Sequence, residues 1–210
     1  MGPRTLTRRD VGLCNRRQGE NEEMSDRRET GVSLRPSRVE DQRTAWEWGN
    51  SSDIARWLNL PKDPEGVWQA TSYEDFCDDY RLFYFDGSTP MDGRAFVIEK
   101  HGEDIGIIAY NTIDEEARRV EIDIWLRGEM FCGRGYGRAA IDQLTMRLAK
   151  EFGVNEVWAQ PSQRNSRSVR AFQSAGFERQ GDASEAIFAE YGTPDYPDSV
   201  LLVCTLAAVQ

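Results

Sequence analysis

Apolar positions along the chain recur at two periods, and the switches between them mark out its elements. VSLRP, from Val32, predicts a short strand. Ser37 with Glu40 three residues on forms a capping box for a helix through EDQRTAWEWGN. SSDIARWLNLP predicts a second short helix that Pro61 ends, and Thr71 with Glu74 caps a further one through EDFCDDYRLFYF. The period then falls to two. RAFVIE and IGIIAYNTI flank the turn KHGED as a hairpin, and RRVEIDIWL adds a third alternating strand. Helical spacing returns in Ala140, Leu144, Leu148 and Phe152, with Gly153 as a C-cap. NEVWAQ, a helix from Ser166 to Gly176 and SVLLVCTL close the pattern. The order β-α-α-β-β-β-α-β-α-β predicts an α/β domain with a mixed sheet, antiparallel first, then crossed by a helix between two parallel strands.

Composition narrows the function classes. A chain of 210 residues, 39% of them hydrophobic, suits one well-buried domain. Its net charge of -10 disfavours nucleic acid and anionic membranes and favours a cationic partner. Its longest apolar run falls far short of the roughly 20 residues of a membrane span. Cys14, Cys77, Cys132 and Cys204 are widely spaced, which indicates reduced thiols and a cytoplasmic setting rather than a zinc site or disulfide framework. His101 is the lone histidine and sits in the hairpin turn, so histidine triads and polyhistidine metal sites lose support; no metal is expected. Residues 1–30 are polar and arginine-rich, and read as a disordered tail before a domain over 31–210; Met24 offers an alternative start.

The candidate chemistry centres on FCGRGYGRAAIDQLTMRLAKEFG, where Gly133, Gly135 and Gly137 precede the long helix. A helix N-terminus presents unpaired N–H groups and a partial positive charge, and glycines let backbone approach an anion, with Arg134 and Arg138 beside it. A Walker loop needs Gly-Lys-Ser/Thr, and a dinucleotide fingerprint belongs to a first βαβ unit; neither is present.

CGRGYG resembles the Q/R-x-x-G-x-G/A pyrophosphate loop of the GNAT superfamily of acetyl-CoA-dependent N-acetyltransferases, and NSRSVRAFQSAGF is similar to its second block. The resemblance implies a splayed central sheet flanked by helices, acetyl-CoA as co-substrate, and a loop (Cys132, Gly133, Arg134, Gly135, Tyr136, Gly137, Arg138) cradling its pyrophosphate. It implies that Asn165, Ser168 and Phe172 lie along the pantetheine arm. A backbone N–H at Trp125 or Leu126 would polarise the thioester oxygen. Cys132 stands where Gln or Arg is usual, and Phe172 where many members carry the tyrosine that protonates the leaving thiolate. That second departure keeps open a coenzyme-binding module with little catalysis.

Strand alternation places Glu121 and Asp123 on one face of RRVEIDIWL. A carboxylate pair there can anchor an ammonium and take its proton, so the two are the catalytic candidates. VSLRP with EWGNSSDIARWL is similar to the opening of aminoglycoside 6'-N-acetyltransferases and of ribosomal-protein alanine and polyamine N-acetyltransferases. The acceptor is therefore expected to be a small cationic amine of the aminoglycoside kind, with a peptide N-terminus or polyamine as alternatives. Trp48, Trp57, Tyr80 and Gln160 are the candidate acceptor contacts; Gln160 with Pro161 replaces the Asp-Pro common in aminoglycoside enzymes. The superfamily likeness is compatible with a homodimer.

Overall fold

The computed structural model describes residues 30–51, 53–58, 66, 69–182 and 184–206. The expected polar tail lies, but for Thr30, outside the described residues. The elements are β1 (Val32–Pro36), α1 (Asp41–Gly49), α2 (Ala55–Leu58), α3 (Tyr73–Asp79), α4 (Phe83–Asp86), β2 (Arg94–Lys100), β3 (Glu103–Tyr110), β4 (Arg119–Leu126), α5 (Tyr136–Phe152), β5 (Glu156–Ala159), α6 (Ser166–Ser174), β6 (Glu178–Asp182), α7 (Glu185–Tyr191) and β7 (Val200–Thr205). A single 3-10 turn, Glu129–Phe131, links β4 to the glycine loop.

The seven strands form one sheet in the order β1-β2-β3-β4-β5-β7-β6. β1 to β4 pair antiparallel, and β4 pairs parallel with β5 through the α5 crossover. The β2–β3 hairpin turns at His101 and Gly102, both at positive φ (50° and 82°), as the mirror-type turns of tight hairpins require.

Both faces of the sheet are covered. On one, Ala140, Ile141, Leu144 and Leu148 of α5 pack fully buried against Ile108, Ile122 and Val157. Burial of each such side chain contributes about 1.5–3 kcal/mol, which is what holds the crossover helix down. On the other, α1, α3 and α4 bring Ala45, Phe76 and Phe85 onto Val97, Ile107, Ala109 and Trp125. β4 alternates between these two cores: Val120 and Ile122 face α5, while Trp125 faces the helical layer.

Several local signals resolve differently from the sequence pattern. Ser37 does not cap α1; its hydroxyl donates to the Ala95 carbonyl (2.8 Å), and α1 begins at Asp41. Ser72, rather than Thr71, caps α3 by accepting from Asp75 N–H. The aromatic helix breaks at Tyr80 into α3 and α4. Asn165, rather than Ser166, caps α6 through its bond from Ser168 N–H (3.2 Å). β6 and α7 were not expected; ERQGD carries no apolar alternation because β6 is a sheet edge, with pairing from β7 alone.

Candidate active site

β4 carries the carboxylate pair under the helical layer, on the same face as Trp125. Asn111, just past β3, donates its amide to both, at 3.0 Å to Glu121 Oε2 and 3.4 Å to Asp123 Oδ2. The Tyr84 phenol donates to Asn111 Oδ1 (3.0 Å), so the chain Tyr84–Asn111 orients both acids. Burial is the largest influence on each carboxyl. It pushes Glu121 up to about 8, aided by the charge of Asp123, and Asp123 up to about 6, aided by Asp195; the Asn111 bond opposes both shifts. Two such acids release their protons as a pair, and around neutral pH this pair holds about one negative charge. Burial and the same acids push the Tyr84 phenol up to about 12 and hold the Tyr80 phenol well above its ordinary value.

The pair lines a cavity of about 980 Å³, walled by Trp57, Phe76, Tyr80, Gln160, Phe172 and the loop residues Thr193 to Tyr196. Asp79 and Asp195 join Glu121 and Asp123 there, and burial plus Asp195 hold the Asp79 carboxyl above its usual range. Its aromatic side is built as a stack: Tyr80 lies on Phe76 (5.0 Å between centroids) and meets Trp125 (5.2 Å) and Tyr84 (5.5 Å) edge on or tilted. Acids beside aromatic faces form a cation-binding lining. The Gln160 side-chain nitrogen is buried with no hydrogen-bond partner among the described residues.

A second cavity, of about 360 Å³, opens beside the N-terminus of α5. Gly133, Gly135, Gly137 and Arg138 line it with Ile54, Cys132 and Arg170. Gly135 caps α5 at φ 81°, and the first helical bond is Ala139 N–H to Gly135 C=O (3.0 Å). The N–H groups of Tyr136, Gly137 and Arg138 therefore precede the hydrogen-bonded ladder and remain available to an anion. A Cβ on Gly133 or Gly135 would meet no protein atom within 4 Å, so their left-handed backbone (φ 71° and 81°), rather than room, is what requires glycine in this loop. These donors, the glycine geometry and Arg138 fit a coenzyme pyrophosphate.

The two cavities share Trp57, Ile124, Trp125, Asn165 and Ser168 in their walls. They meet where the sheet opens: the β4–β5 pairing ends at Glu121 and Trp158, while β4 continues to Leu126. Asn111 N–H bonds Glu121 C=O at one end of the β3–β4 ladder, and Arg127 N–H bonds Ile105 C=O at the other. Register is unbroken between those ends, so Glu121, Asp123 and Trp125 turn their backbone groups to β3, and Ile124 and Leu126 turn theirs into the gap. Of the two expected N–H donors, Leu126 faces the opening and Trp125 does not.

Three expected contacts stand elsewhere. Trp48 packs against the helical-layer core and lines neither cavity. The Tyr136 ring is buried in the α5 core under Lys100, and Arg134 is exposed away from the lining. The other expected residues line one cavity or both. Asn111, Tyr84 and Asp195 were not anticipated; only the acidic loop TPDYPD carried any local signal for the last of them. Among the described residues no His, Cys, Asp and Glu group could hold a metal ion, and no helix is long and apolar enough to cross a membrane.

A cavity floored by helix N–H groups, joined to a second one lined by carboxylates, is the layout of an enzyme that brings an anionic acyl carrier to an amine. Residues 32–178 match the Acetyltransferase (GNAT) domain model, and the chain belongs to that family. It is an acetyl-CoA-dependent N-acetyltransferase, with the mixed, helix-flanked sheet of that fold. Among solved structures, AAC(6')-Ib in complex with ribostamycin and coenzyme A is 25% identical, with a TM-score of 0.64 over 83% of this chain and 93% of that one. Spermidine N-acetyltransferase from Vibrio cholerae, in complex with CoA and spermine, is 17% identical, with a TM-score of 0.58 over 82% and 92% of the two chains. The uncharacterized N-acetyltransferase p20 of Bacillus licheniformis is 21% identical over 71% of this chain and 80% of its own.

Proposed function

We propose that the protein acetylates a primary amine of a small polycationic acceptor, an aminosugar of the aminoglycoside kind, by direct transfer from acetyl-CoA in the cytoplasm. The observation that carries this reading is the raised carboxylate pair in the acceptor-side cavity, on the strand whose Ile124 and Trp125 wall both cavities, backed by Asp79 and Asp195. An acceptor with several ammonium groups finds four acids and an aromatic stack there, with Trp57, Tyr80 and Gln160 as contacts.

The first-turn amides after Gly135 and the Arg138 side chain hold the pyrophosphate. Asp123, with Glu121, receives the first proton of the bound ammonium and frees the nitrogen lone pair. As the C–N bond forms, the Leu126 N–H donates to the developing oxyanion in the gap. The C–S bond then breaks, and the second ammonium proton passes to the thiolate. Phe172 cannot donate it; Ser168, one helical turn earlier and in the wall of both cavities, supplies a hydroxyl at that place.

The test incubates protein and acetyl-CoA with aminoglycosides, spermidine and alanine-starting peptides and reads products by mass. An acetylated aminoglycoside supports the reading. Acetylated spermidine or peptide alone moves the acceptor class, and coenzyme binding without any product refutes catalysis on these amines.

A further inference from the structure

Glu129 is out of place on charge grounds, because it sits three residues before the loop that must hold a pyrophosphate. Its surroundings account for it. One carboxylate oxygen, Glu129 Oε1, accepts from Arg56 Nη2 (2.6 Å) and Trp57 Nε1 (3.3 Å), and Arg167 Nη1 lies 2.9 Å away as an ion pair without hydrogen-bond alignment. The two arginines also flank the Trp57 ring, with guanidinium carbons 4.7 Å (Arg167) and 5.9 Å (Arg56) from its centroid. Two further bonds fasten the same stretch: Asp53 Oδ2 accepts from Glu129 N–H (2.8 Å), and the Asn165 amide donates to Trp57 C=O (3.0 Å).

Trp57 stands in the wall of both cavities, and Arg167 lines the coenzyme one. An isolated exposed ion pair contributes little. Here a single carboxylate holds two hydrogen-bond donors and a further cation from two segments, so its removal unfastens them together. The carboxylate also offsets the charge of Arg167 in the wall of the coenzyme cavity, an arrangement that works against coenzyme affinity and has a compensating effect only on the acceptor wall.

We propose that Glu129 is a positioning residue that clamps Trp57 at the seam, so that the segment leading into the coenzyme loop also sets the wall against which the acceptor lies. This rests on the acceptor reading above for its kinetic consequence, but not for its structural one. Loss of the clamp and general destabilisation have opposite signatures. In Glu129→Ala the freed Arg56 and Arg167 leave the coenzyme side more positive, so acetyl-CoA binds as tightly as before or more tightly, while the acceptor KM rises.

The test uses the full chain in three forms: wild type, Glu129→Ala and Glu129→Gln. Hydrogen exchange of residues 53–58 is measured with no acceptor present, acetyl-CoA affinity by calorimetry, and acceptor KM and kcat on whichever amine the wild type acetylates. The clamp predicts exchange at 53–58 faster by about fivefold in Glu129→Ala. It also predicts undiminished coenzyme affinity and an acceptor KM raised about five- to tenfold with a smaller change in kcat. Glu129→Gln, which keeps an acceptor oxygen for Trp57 Nε1, falls between. Unchanged exchange at 53–58, or coenzyme affinity that falls together with acceptor affinity, overturns the proposal. A wild type that acetylates no amine refutes the proposed acceptor chemistry, and the exchange and calorimetry still decide the clamp.

Discussion

Replacing Glu121 by Gln should make the protein more stable at pH 8 than the wild type, although it removes a candidate catalytic group. Gln keeps an oxygen for the 3.0 Å bond from Asn111 and removes the charge. In the folded chain the Glu121 carboxyl is carried from an ordinary 4.5 to about 8, chiefly by burial and then by Asp123. A folded pKa above the unfolded one means stability that is fully present below about 4.5 and is lost as pH rises through about 8. At 1.36 kcal/mol for each tenfold step, the loss reaches about 4 kcal/mol at pH 8 and about 1 kcal/mol at pH 5. The substitution should therefore gain about 3 kcal/mol at pH 8 relative to pH 5, and a chain of this size gains about 2–4 °C per kcal/mol, or roughly 6–12 °C in Tm. Differential scanning calorimetry of both proteins at the two pH values reads it directly. A Tm difference that is the same at pH 5 and pH 8, or that has the opposite sign at pH 8, would refute the claim that burial raises this carboxyl.

Asp123→Asn should lower kcat by about 10²–10⁴-fold, since the group that takes the ammonium proton is gone, while acetyl-CoA affinity measured by calorimetry stays unchanged. Equal activity in Asp123→Asn and wild type would move the base elsewhere. Gly135→Ala should cost about 1–2 kcal/mol of stability, read in urea unfolding, because φ of 81° is forced on a residue with a Cβ, although that Cβ touches nothing. Asp195→Asn removes a charge that raises both acids, so the acid limb of the pH profile of kcat/KM should move to lower pH, with a weaker acceptor KM. A limb that stays in place would separate Asp195 from the pair.

Much of the fold was legible because its signals are short-range. The hairpin turn at His101 and Gly102, the apolar stripe of α5 and its Gly153 cap each depend on a handful of neighbouring residues. The caps at Ser72 and Asn165 lay within one residue of where the sequence places them. Ser37 did not follow its local signal because the Ala95 carbonyl, 58 residues away, outcompetes the helix end for its hydroxyl. Trp48 and Tyr136 carry the right chemistry for their expected contacts but point into cores, a matter of which face the packed layers cover.

The sequence by itself determined that two acids on β4 share a face and that glycines at 133 and 135 precede a helix. Each of these follows from a backbone period or a dihedral requirement that a few residues satisfy alone. The tertiary structure decided that the acidic face is the one roofed by α1, α3 and α4, which turns an apparently solvated pair into raised carboxyls. It also decided that Asp195 arrives from the loop before β7, that Leu126 rather than Trp125 turns its N–H into the gap, and that Glu129 reaches Trp57. Desolvation, ladder parity and long-range ion pairs depend on what lies across from a residue, and no local pattern encodes that.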